Sequence, residues 1–156
     1  MSAQADSKPA AKATLRVPEG EAWRGPNYWS SGPAMRLLVD LGSLENWPSN
    51  TLPMFNDALI DLLPGIKDHG CSLNRPGGFI ERLKEGTWLG HVAEHVAIEL
   101  EREAGGSTTR GKTRKSGAVG PYNVIYAYNA EQVRIAPTQP APPPLHTHAH
   151  PARPSP

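Results

Sequence analysis

Between Gly90 and Glu101 the chain reads GHVAEHVAIELE, two histidines and three glutamates in an otherwise apolar run. At about 100° per residue, a helix gathers Leu89, Val92, Ala93, Val96, Ala97 and Leu100 on one side. His91, Glu94, His95, Glu99 and Arg102 fall on the other. His91, His95 and Glu99 follow one another at one-turn spacing, a ladder of metal donors. Two imidazoles so placed can each reach one zinc ion at about 2 Å, with Glu99 as a third ligand and a fourth position left open. His91-x-x-Glu94-His95 is also the H-x-x-E-H order of inverted zincins, whose glutamate activates water, so Glu94 is the candidate catalytic base. The competing reading is the wet face of an amphipathic helix, since His, Glu and Arg are what exposed faces carry. Ile98 lies within the polar sector and predicts that part of this face is covered. The residues alone leave both readings open.

The elements that must position this helix lie on either side of it. MRLLVDLG, from Met35, is an apolar run closed by glycine and reads as a buried strand. PSNTLPMFNDALIDLLPG carries Leu52, Phe55, Leu59, Leu62 and Leu63 at helical spacing, with Ser49 to Thr51 as caps and Pro64-Gly65 as a stop, a core helix of about three turns. IERLKEG makes one or two more turns, and the long helix runs from about Thr87 to Ala104, ended by Gly105-Gly106. After a polar loop, YNVIYAYN alternates as a second strand, with EQVRI a further candidate. The expected fold is α+β: a small, mostly antiparallel sheet packed against two main helices, with disordered termini. The expected layout is a disordered leader over 1–22, a domain over 23–135 and a disordered Pro/His-rich tail over 136–156.

Composition narrows the partners. With 156 residues and a formal charge of +1, no global field argues for nucleic acid or an anionic membrane. No run is long and apolar enough to span a bilayer or act as a secretory signal. The single cysteine, Cys71, excludes a disulfide framework, and a cytoplasmic location fits it best. Cys71 and His69 read as a packed cysteine and a turn histidine. His146, His148 and His150 read as a sticky tail without a scaffold to fix metal geometry.

RGPNYWS, PSNTLPMF, LLPGIKDHGCS, GGFIERLKEGTWLGHVAEHVAIELE, GKTR and YNVIYAY occur in this order and resemble the amino-terminal domain of cyanophycin synthetase, from about Trp23 to Tyr128. In that family the domain precedes an ATP-grasp and a Mur-ligase-like domain, which this sequence lacks, so the resemblance implies a stand-alone domain rather than a ligase. It implies a grip on the polymer and, in some members, a metallopeptidase-like site that trims β-aspartyl-arginine chains into primers. On the matching positions His91, His95 and Glu99 would hold zinc and Glu94 would be the base.

A binder of this polymer needs carboxylates for guanidinium and cations for carboxylate. Glu81, Glu85 and Glu101 are candidates for the first, against plain solvation. Arg110, Lys112 and Arg114 in STTRGKTRKSG are candidates for the second, Arg114 because it matches the family's basic block. RGPNYWS, which joins Arg24 to Tyr28 and Trp29, either stacks on substrate guanidinium groups or packs the surface, and Arg24 is its substrate-binding candidate. The expectation is a zinc-dependent hydrolase of cyanophycin or a related β-aspartyl-arginine polymer. The alternatives are a non-catalytic cyanophycin-binding module, an accessory to a separately encoded synthetase, and a truncated remnant.

Overall fold

Alternating apolar residues in MRLLVDL and YNVIYA build the centre of a four-stranded antiparallel sheet. The computed structural model describes residues 16–129 except 25, 28, 118 and 119. The strands are β1 (Arg16–Trp23), β2 (Ala34–Asp40), β3 (Gly111–Lys115) and β4 (Pro121–Ala127), in the order β1-β2-β4-β3. β2 pairs with β4 so that Val39 faces Tyr122 and Leu37 faces Val124. Because side chains alternate along a strand, these residues share one face with Thr113 of β3. That face carries the core. Ile125 and Ala34 are buried on the other.

Three helices follow from the apolar spacing: α1 (Phe55–Leu62), α2 (Gly78–Glu85) and α3 (Leu89–Glu103). α3 packs on β3 and β4. A Cβ on Gly90 would fall 2.7 Å from the Tyr122 ring, so only glycine lets the first turn of α3 come this close to the sheet. Phe79 and Leu83 of α2, with Leu41, Ile66 and Val124, are sealed in the core. Buried Ser49 donates to the Leu83 carbonyl and accepts from the Thr87 amide, each at 3.1 Å, stapling the end of α2 to the start of α3. At its other end α3 closes with Gly105 N to Arg102 O and Gly106 N to Glu101 O, the hydrogen-bond pair of a Schellman stop.

Four sequence expectations are corrected. Part of the leader is strand: β1 exists through pairing with β2, where Glu19 and Glu21 meet Arg36, although RVPEGEAW has poor strand propensity. GKTRK, expected in a loop, is edge strand β3, held opposite β4. The first helix is two turns rather than three, because Met54 adopts left-handed backbone (φ 58°) and the helix begins after it. Leu100, expected in the core, is exposed, while His95 and Glu99 are buried. α3 is covered on both flanks, by the sheet side and by the turns around residues 65–71, so hydropathy alone misassigns its edges. EQVRI and the histidine tail lie outside the described residues.

Candidate metal centre

The side of α3 carrying His91, Glu94 and His95 opens into a pocket of about 810 Å³. Its walls are the turn from Asp68 to Asn74 and the segment from Thr108 to Thr113. Cys71 stands at that turn with left-handed backbone (φ 52°), a conformation costly for a non-glycine residue. There its Sγ lies 3.2 Å from His91 Nε2. Donor atoms of Cys71, His91 and His95 all fall within 4.8 Å of one another.

The imidazoles are held from behind. Thr87 Oγ1 lies 2.8 Å from His91 Nδ1, and His69 Nδ1 lies 2.8 Å from His95 Nδ1. His69 Nε2 in turn lies 2.7 Å from Glu99 Oε2. Phe79 stacks on His95 at 3.8 Å and meets His91 edge-on at 5.6 Å, a dry wall for both rings. Burial, with neighbouring His91 and His69, pushes the His95 pKa down to about 3. Burial, then the Arg82 charge, also lowers His91. Both rings are therefore neutral near pH 7, the form that ligates metal.

Glu94 is half-buried, and Thr113 Oγ1 lies 2.6 Å from its Oε2. Burial raises its carboxyl above the usual range, partly offset by the Thr113 hydrogen bond. That is the direction that suits a general base working near neutrality.

The sequence candidates divide. His91, Glu94 and His95 converge on the pocket, and Arg110 and Lys112 border it. Glu99 turns away to His69 and to Arg102 Nη1 at 3.3 Å, outside the convergent donor set. Arg114 lies on the opposite face of the sheet, 5.1 Å from the Trp29 ring, which the Lys112 ammonium also approaches at 4.8 Å. Glu81 pairs with Arg75 at 2.6 Å, and exposed Arg24 does not line the pocket. Cys71 and His69, read as a packed cysteine and a turn histidine, are both in its wall. Their signal in the sequence was weak, a short His-Gly-Cys in a glycine-rich turn with no periodicity to place it.

One cysteine sulfur and two neutral imidazoles, with other hydrogen bonds orienting both rings, make a donor set that suits zinc. The fold and this centre define a small α+β domain that carries a solvent-open cluster of metal-type donors between a central helix and the turn at Cys71. The chain belongs to the family described as the cyanophycin synthase-like N-terminal domain, which it matches over residues 36–142. It is 44% identical over 111 residues, 70% of its length, to the cyanophycin synthetases of Crocosphaera subtropica and Synechocystis sp.. It is 38% identical over 120 residues, 76% of its length, to the cyanophycin synthetase of Geminocystis herdmanii. The matched region covers only 13–14% of each of these relatives. No helix among the described residues is long and apolar enough to cross a membrane.

Proposed function

We propose that this chain is a zinc-dependent hydrolase of cyanophycin, cutting its β-aspartyl-arginine chain into short oligomers that can serve as primers. The observation that carries this reading is a half-buried Glu94, its carboxyl raised by burial, beside the Cys71, His91 and His95 donors in an open pocket. The same three residues would hold the metal. Zinc bound there would supply Lewis acidity toward the amide carbonyl and toward water. Glu94 takes the proton from the attacking water and delivers it to the leaving amine. Thr113 keeps the carboxylate aimed, and Phe79 keeps bulk water off the imidazoles. Arg110, at the pocket border, is the cation this reading assigns to substrate carboxylates. Glu99 belongs to the support of the site rather than to its donors.

A second reading is a polymer grip without turnover, alone or beside a separate synthetase. It is favoured by Lys112 and Arg114 over the Trp29 ring, a cationic aromatic surface away from the pocket. One experiment separates the two: incubate zinc-loaded protein with cyanophycin and measure release of β-aspartyl-arginine oligomers, with His146, His148 and His150 changed to alanine so that metal reports on the pocket. Oligomers that vanish with Glu94→Gln, zinc still bound, support the hydrolase. Binding that survives both chelator and Glu94→Gln, with no oligomers, supports the grip.

A further inference from the structure

Glu99 is 5% exposed, deep for a carboxylate, and is not part of the donor cluster. Its Oε2 instead meets His69 Nε2 at 2.7 Å, with Arg102 Nη1 at 3.3 Å. This oxygen already accepts from Arg102, so it accepts here too and the hydrogen in the contact sits on His69 Nε2. In its one-hydrogen form His69 then has a bare Nδ1, and that nitrogen lies 2.8 Å from His95 Nδ1. Two ring nitrogens so close need one hydrogen between them, and it must come from His95. His95 is thereby the Nδ1–H tautomer, and its one lone pair is on Nε2. The rings of His69 and His95 are both buried, so solvent does not supply another partner.

We infer that Glu99 and His69 are positioning residues, a buried carboxylate–imidazole relay that fixes the tautomer of His95 and turns its Nε2 lone pair over to a metal. The use of that lone pair rests on the proposed zinc site; the tautomer does not. Backing of this kind is worth about 10–100-fold in metal affinity. Gly65 supplies an independent handle. A Cβ there would fall 1.8 Å from Glu99 Oε1 and 2.8 Å from its Cδ, so the turn after α1 is shaped around this carboxylate. Gly65→Ala therefore displaces Glu99 without altering either member of the relay. Glu99→Gln acts differently: its amide can donate to His69 Nε2, which puts the His69 proton on Nδ1 and drives the His95 proton onto Nε2, where a metal would bind.

The chain has six histidines, and changing His146, His148 and His150 to alanine leaves His69, His91 and His95. Long-range proton–nitrogen spectra of this full-length, histidine-labelled protein, metal-free at pH 8, then read each ring directly. The expected result is His69 as Nε2–H and His95 as Nδ1–H, with His95 switching to Nε2–H in Glu99→Gln. Zinc affinity, measured by competition with a chromophoric chelator at a temperature where each metal-free variant is folded, falls about 10–100-fold in Glu99→Gln and in Gly65→Ala. His95 found as Nε2–H in the parent protein overturns the relay, as does zinc affinity that neither variant changes. A parent protein that binds no zinc removes the proposed hydrolase, and the His95 tautomer still decides the relay. Should Glu99→Gln fail to fold, the parent spectrum and Gly65→Ala carry the test.

Discussion

The two faces of the sheet treat charge in opposite ways. On the inner side, around α3, burial disfavours charge: His95 and His91 lose basicity and Glu94 loses acidity. On the outer side, Arg36 meets Glu19 and Glu21 in partly exposed ion pairs, and Lys112 and Arg114 lie over Trp29. Water and salt screen the outer charges, so they steer and grip weakly. Desolvation favours the neutral form of the imidazoles, the form that ligates metal, and makes the Glu94 carboxylate a stronger base. On the proposed reading, the inner side carries the chemistry and the charged rim the recognition.

The largest expected effect is at Glu94. Glu94→Gln should reduce oligomer release about 10²- to 10⁴-fold with zinc stoichiometry intact, measured by turnover beside metal analysis. Unchanged turnover would remove the inner face from the chemistry. Next, Cys71→Ala should lower zinc affinity by more than about 100-fold, since a direct donor outweighs its supports; titration against a chelator reads it. At the rim, Arg110→Ala should raise KM about 10-fold by deleting a charge-assisted contact, and Arg114→Ala by less than about twofold. The reverse order would move the substrate grip to the outer face.

The smallest effects concern stability, and here two carboxylates should move in opposite directions. Buried Glu45 accepts from Lys115 and from the Gly120 amide, tying the β3–β4 turn to the 3-10 turn after β2. Its hydrogen bond to Lys115 chiefly holds its carboxyl below the usual range. The stabilisation is complete above the ordinary carboxylate pKa and is lost as pH falls through the lowered one. Glu45→Gln should therefore destabilise the protein at neutral pH, by a gap that closes in acid. For Glu94 the sign reverses: its raised carboxyl makes the charge unfavourable at neutral pH, an effect that fades as pH falls through the raised value to the ordinary one. Metal-free Glu94→Gln should melt higher than the parent at neutral pH. Denaturant curves for both variants across pH test the pair together.

Much of this architecture was legible in the amino-acid order. The period of LGHVAEHVAIELE, the glycine stop after it and the alternation of YNVIYA each follow from local rules that neighbours in sequence can express. The two His residues and Glu94 share a helix face for the same reason. β1 and β3 were not legible, because Glu, Gly, Lys and Arg are poor strand formers and became strands through the partners beside them.

What the sequence by itself determined was α3 and the set of groups on its polar side, since 3.6-residue periodicity is a local property. Tertiary structure alone decided which of those groups act together. It brought Cys71 from a turn 20 residues before His91 to within 3.2 Å of its ring, and it inserted His69 between His95 and Glu99. It also enclosed a face that hydropathy would have left in water. The physical reason is that a contact between distant segments depends on how helix, turn and sheet pack, and packing responds to shape and volume across the whole core, which no periodicity along the chain records.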